Sequence, residues 1–192
     1  RELSIESDAQ RAALDAVRSV SSVPVVAQNL QGTFLEPGEV LTREEVLGAL
    51  APLLEDARIP FDYVGNGCQD RALVVAEHLR ERGVFASMVF VYGDLAVIRE
   101  EELLTWEFHA ASGVVHRTVQ GLTFGIFDPA FSTDLLSLDD WLSRFTDRPV
   151  SLEILPSFQW QPAMYYGFAD PAWLDLSVEE AWKNLEYYRL TY

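Results

Sequence analysis

The spacing of hydrophobic positions changes part-way along the chain, from the three-to-four repeat of a helix to the alternation of a strand. In Asp8 to Val20, residues Ala12, Ala13, Ala16, Val17 and Val20 share one side of a helical wheel, which predicts an amphipathic helix. Ser21 to Gly38 carries Pro24, Gly32 and Pro37 and predicts irregular chain, with a short strand at Val23 to Ala27. Thr42-Arg43-Glu44-Glu45 is a capping box, in which the threonine hydroxyl accepts a backbone amide of the first turn and Glu45 reaches back. It predicts a helix ending near Ala57, before Pro60. Another helix is predicted from about Gly67 to Arg82, stopped by Gly83.

Beyond that helix the period is two. Phe85 to Tyr92, Ala96 to Arg99, Leu104 to Ala111, Val114 to Val119 and Leu122 to Phe127 read as strands, with turns at Gly93-Asp94, Ser112-Gly113 and Gln120-Gly121. Ser137-Leu138-Asp139-Asp140 opens a short helix reaching Phe145, and Val150 to Leu155 is a last strand. A final helix is predicted from about Ser177 to Tyr188, with Ser177 and Glu180 as its box. Helices followed by a run of antiparallel strands predict the α+β class, an antiparallel sheet packed against helices.

Composition narrows the partners. A chain of 192 residues that is 49% hydrophobic makes one domain with a core that needs no disulfide or metal. Its 14 Lys and Arg against 30 Asp and Glu give a net charge of -16, a surface that repels nucleic acid and anionic membrane, so neither is expected as a partner. No run approaches the roughly 18 apolar residues of a membrane span. The chain opens on Arg1 with no charged-then-apolar stretch, which fits a processed mature form and an excised piece of a longer chain equally well. The aromatic residues Phe158, Trp160, Tyr165, Tyr166, Phe168, Trp173, Trp182, Tyr187 and Tyr188 of the tail are expected in the core, with the lining of a peptide groove as the alternative. Three scattered histidines and one cysteine do not make a zinc site, and no phosphate loop is present, so no metal and no cofactor is expected.

The single cysteine carries the chemistry. Cys68 follows Gly65-Asn66-Gly67 and begins a helix-forming stretch, so its thiol is expected at the positive end of the helix dipole, beside unpaired backbone amides. A thiolate there is favoured and an oxyanion corner comes with it, whereas a buried, inert core cysteine is the alternative. His78 lies ten residues further on the same helix, about 15 Å away along the axis, and is set aside as a base. His109 and His116 both lie on the predicted sheet. A hairpin at Ser112-Gly113 would place them opposite each other, and periodicity does not rank them. Asp128, before Pro129, is a candidate orienting carboxylate; the order Cys, His, Asp points to a thiol hydrolase or acyltransferase.

Three motifs in order extend this picture: Gly67-Cys68 with Arg71-Ala72, then Trp106-Glu107-Phe108-His109-Ala110-Ala111, then Ile126-Phe127-Asp128-Pro129-Ala130, followed by Leu138-Asp139-Asp140-Trp141-Leu142. Over roughly Phe61 to Phe145 the chain resembles the bacterial protein-glutaminase family of protein-glutamine deamidases. Asn66 stands where that family commonly has aspartate, and Gln69 where it has an aromatic residue. The resemblance implies a papain- and transglutaminase-like core with Cys68 as nucleophile, His109 as base and Asp128 as orienter. Asn66, Gln69 and Trp106 would meet the substrate, a glutamine side chain in a peptide or protein. One catalytic domain is expected over 1–192, with N-terminal helices in 1–60, the motif-bearing core in 61–145 and the aromatic-rich segment in 146–192. A secreted bacterial monomer is expected. Arg71 is expected to brace the fold, facing away from the thiol. Transglutamination, peptide-bond hydrolysis, and a non-catalytic interaction module or host-directed effector are the competing readings.

Overall fold

The computed structural model describes residues 40–84, 86–99, 101–145, 151–155 and 171–191. The helix and strand predicted before residue 39, and Phe158 to Phe168 of the aromatic tail, lie outside them. The elements in chain order are α1 (Arg43–Leu54), α2 (Cys68–Glu81), β1 (Ala86–Arg99), β2 (Glu102–Thr118), β3 (Gly121–Phe127), β4 (Leu135–Ser137), α3 (Leu138–Leu142), β5 (Ser151–Leu155) and α4 (Pro171–Thr191). The strands form an antiparallel sheet in the order β4-β3-β2-β1-β5. The class is the α+β arrangement that the sequence predicts.

Local chemistry sets the helix ends. The Thr42 box forms as predicted: the Glu45 amide donates to Thr42 Oγ1 at 3.3 Å and the Thr42 amide to Glu45 Oε2 at 2.8 Å. Helix α1 ends at Leu54, with Pro52 inside it, three residues before the expected end. Gly83, at φ 70, ends α2 in the left-handed conformation that a side chain would resist. Ser137 caps α3 by accepting the Asp140 amide. Helix α4 begins at Pro171, six residues before the expected Ser177, so the Ser177-Glu180 pair lies inside it. A proline at the first helical position needs no amide partner and sets the entry dihedral, and it outweighs a serine further on.

Two of the predicted turns are absent. β1 and β2 are long single strands joined next to Glu101, at φ 73, with Arg99 paired to Glu102. Gly93-Asp94 is a slip in register between Tyr92 and Leu95 within β1. Ser112-Gly113 lies mid-strand in β2. Glycine is required at 113 by a neighbour distant in sequence, since a Cβ there would come 2.2 Å from Phe124 Cζ and 2.7 Å from Val89 Cγ2. Such an approach leaves no trace in the adjacent residues, which is why the pair reads as a turn.

Alternation along the strands divides the core between the two faces of the sheet. One cluster gathers Val89, Val91, Ala111, Val115, Phe124 and Ile126 against Trp141 and Phe145. The other gathers Met88, Phe90, Ala110, Val114 and Phe127 under α1, α2 and α4. Fully burying each such side chain contributes about 1.5–3 kcal/mol. Helix α2, with ten buried residues, is the central element of the second layer.

Candidate active site

The site begins at Gly67, which caps α2 with φ 73 and ψ 17. Asn66 Oδ1 accepts the Gly67 amide at 2.8 Å and holds this left-handed turn. A Cβ at Gly67 would also come 2.6 Å from Cε2 of Tyr188 on α4, so glycine is required for conformation and for space. Cys68 is therefore the first residue of the helix, where the amides of the first turn have no partner within it. Cys68 is only 8% exposed, and it lines a cavity of about 10 Å³ together with Phe61, Arg71, His109, Phe127 and Asp128. That volume holds about one water. The cysteine is buried, less reachable than its turn predicts, yet it sits beside an imidazole.

His109 reaches the cavity from the opposite layer. β3 pairs with β2 only over Ser112 to Thr118, so among the described residues the stretch of β2 carrying His109 has a strand partner on one side alone. The turn between β2 and β3 is a tight one at Val119-Gln120, one residue before the expected Gln120-Gly121. Continuing that register sets Asp128 across from Ala111, on the same face as His109 and diagonal to it. Diagonal neighbours are within reach of long side chains. His109 Nε2 lies 2.8 Å from Asp128 Oδ2 as a result.

Asp128 is almost fully enclosed. Its Oδ2 also accepts the indole N–H of Trp141 at 2.7 Å, and its Oδ1 accepts the Ala130 amide at 3.2 Å. Burial pushes the carboxyl pKa up, but the His109 charge and hydrogen bond, the Trp141 bond and the Arg71 charge together hold it below the usual carboxylate value. Burial pulls the His109 pKa down. The charge and hydrogen bond of Asp128, joined by Cys68, outweigh this and raise it to about 9. Rings of Trp106, Phe131, Trp141 and Phe145 surround the imidazole, with the Trp106 ring centre 5.3 Å away. With Nε2 committed to Asp128, Nδ1 is the nitrogen left for the thiol. It is buried and, among the described residues, makes no hydrogen bond of full geometry, a looseness common in unliganded sites.

The structure thus brings Cys68, His109 and Asp128 together. Of the three residues expected to meet substrate, Gln69 and Trp106 touch the triad directly: Gln69 Oε1 lies 3.4 Å from Cys68 Sγ, and Trp106 packs on His109. Asn66 orders the turn and is exposed. His116 is seven residues along the same strand from His109 and so faces the other side, packed over Gly125. His78 bonds the Ala49 carbonyl at 2.8 Å, away from the site. Arg71 departs from expectation. It faces the cavity rather than away from it, because helical side chains lean toward the N-terminus and carry its guanidinium back over the first turn, where Nη1 donates to the Asn66 carbonyl at 3.0 Å. Trp141 as an Asp128 donor was not readable from its own motif, which shows only an amphipathic helix.

Comparison with known proteins gives the family and the fold. The sequence model of a family described as glutaminase matches residues 40–145, over half of the chain. The chain belongs to that family. Among solved structures it is similar in fold to protein-glutaminase from Chryseobacterium proteolyticum, with a TM-score of 0.60, 19% identity, and coverage of 73% of this chain and 86% of that one. A crystal structure of protein-glutaminase aligns at TM-score 0.54 and 19% identity over 63% of this chain and 75% of the other. Pro-protein-glutaminase aligns at TM-score 0.57 and 18% identity over 74% and 56%. No curated protein matches the sequence.

Proposed function

We propose that this glutaminase-family enzyme hydrolyses the side-chain amide of glutamine residues in peptides or proteins, through a thioester on Cys68. The convergence of Cys68, His109 and Asp128 on one cavity carries this reading, and the fold similarity to protein-glutaminases supports its substrate class.

A carboxamide is a poor electrophile, so attack needs an ionised thiol and a ready proton donor. Cys68 Sγ adds to the amide carbon, and the carbonyl electrons move to oxygen, toward the Cys68 amide at the helix start. The His109 imidazolium gives its Nδ1 proton to the amide nitrogen. The C–N bond breaks, ammonia leaves, and a γ-glutamyl thioester remains. His109, now neutral, takes a proton from water as the oxygen adds to the thioester carbon. Collapse breaks the C–S bond, releases glutamate and restores the thiolate and imidazolium. Asp128 keeps the ring oriented and its charge balanced throughout.

The test is ammonia release from a glutamine dipeptide blocked at both ends, from free glutamine, and from the dipeptide with a primary amine added. The blocked dipeptide should turn over faster than the free amino acid, with loss of activity in Cys68→Ser. Faster turnover of free glutamine overturns the substrate class, and incorporation of the amine in preference to water makes the enzyme a transglutaminase.

A further inference from the structure

The Arg71 guanidinium is a buried cation with little to hold it. It is 6% exposed; among the described residues its one hydrogen bond is Nη1 to the Asn66 carbonyl, and Nη2 is buried with no hydrogen-bond partner. No carboxylate forms a contact ion pair with it among the described residues. Taking a cation out of water costs several kcal/mol unless its donors are matched, and buried donors are nearly always satisfied. The cost is felt, since burial lowers the Arg71 pKa, opposed by the charges of Cys68, Asp128, Asp70 and Tyr188. The helix dipole makes the position worse, because the guanidinium lies over the positive end of α2. A site that concentrates positive potential and leaves one donor unused is built for an anion or for an oxygen that becomes one.

The chemistry has one such oxygen. The Cys68 amide supplies a first donor to the carbonyl that the thiol attacks, and the second must lie in the same cavity. Ser112 Oγ, which is also in the cavity wall, is already committed to the Ala72 carbonyl at 2.8 Å. The Trp141 N–H is committed to Asp128. We propose that Arg71 is a catalytic residue whose Nη2 donates to the amide oxygen of the substrate as it becomes the oxyanion, opposite the Cys68 backbone N–H. The inference rests on Cys68 being the nucleophile. Arg71 holds its place through Asn66, so the turn that presents the thiol also fixes the second donor.

Two readouts test it. Cys68 is alkylated with iodoacetate, which carries a carboxylate, and with neutral iodoacetamide. Ammonia release is measured in parallel. In Arg71→Met the iodoacetate rate should fall about ten-fold relative to the iodoacetamide rate. Its kcat should fall about 100-fold, the scale of losing one oxyanion donor, with KM changed less than about two-fold. Arg71→Lys should recover part of both, and it decides the matter should the methionine variant not fold. An unchanged alkylation ratio with unchanged kcat overturns the proposal, as does a loss of both alkylation rates in step with a lowered melting temperature, which marks a structural role. A shifted ratio in a protein that releases no ammonia from any glutamine substrate keeps Arg71 as an oxygen-binding group and overturns the deamidase reading instead.

Discussion

Replacing Asp128 by asparagine removes one charge and almost no volume from the most enclosed part of the site. The amide oxygen can still accept from His109 and Trp141, so the packing around Trp141, which is fully buried, should persist. What changes is the imidazole. His109 sits at about 9 because Asp128 outweighs burial, the largest single influence on it. Near pH 7.5 that keeps about thirty imidazolium rings for each neutral one. Without the carboxylate only Cys68 opposes burial and the pKa falls toward the ordinary 6.5, where neutral rings outnumber charged ones by about ten to one at pH 7.5. The protonated form that must hand its proton to departing ammonia becomes at least about ten-fold scarcer, and the thiolate loses its counter-charge as well. We expect kcat near pH 7.5 to fall by about 100-fold or more, with KM little altered. Titration of the histidine resonances by NMR, together with the pH dependence of kcat, checks this directly. A His109 resonance still titrating near 9 in Asp128→Asn, or an unchanged pH profile, would refute the role of Asp128.

His109→Ala should abolish turnover while His116→Ala retains it, because the two rings lie on opposite faces of β2; the reverse result would mean that the wrong histidine has been paired with the thiol. Asp70 is buried beneath α4, bonded at Oδ1 by Asn184 Nδ2 at 3.2 Å and without a partner at Oδ2 among the described residues, and burial raises its pKa to about 6. A carboxyl with a folded pKa above its unfolded value costs stability as pH rises from about 4 through 6. Asp70→Asn should therefore raise stability at pH 8 by on the order of 2 kcal/mol and leave it unchanged near pH 4. A lower melting temperature at pH 8 would show that the negative charge is needed at the start of α2.

Sequence made some of this site legible and hid the rest for identifiable reasons. The Thr42 box and the α2 span from Cys68 to just before Gly83 depend on residues within a few positions of one another, and both are found as expected. Gly113 is the opposite case: its neighbours in sequence look like a turn, and the Phe124 ring that demands a glycine lies eleven residues away. That misreading also made His109 and His116 look like cross-strand partners. Strand parity separates them once β2 is known to be continuous. Arg71 misled in another way. Its angle on the helical wheel places it off the thiol, but the backward lean of a long side chain brings the guanidinium to the helix start.

The triad is drawn from both faces of one sheet: Cys68 from the layer that α1, α2 and α4 build, and His109 with Asp128 from the layer sealed by Trp141 and Phe145. Neither layer holds a working centre alone. A chain whose helical layer is ordered while the Trp141 layer is molten would keep most of its helix signal, yet its thiol would have no imidazole beside it. Turnover would then vanish before secondary structure does on heating or in denaturant, and catalysis becomes a built-in check that the whole molecule has folded cooperatively.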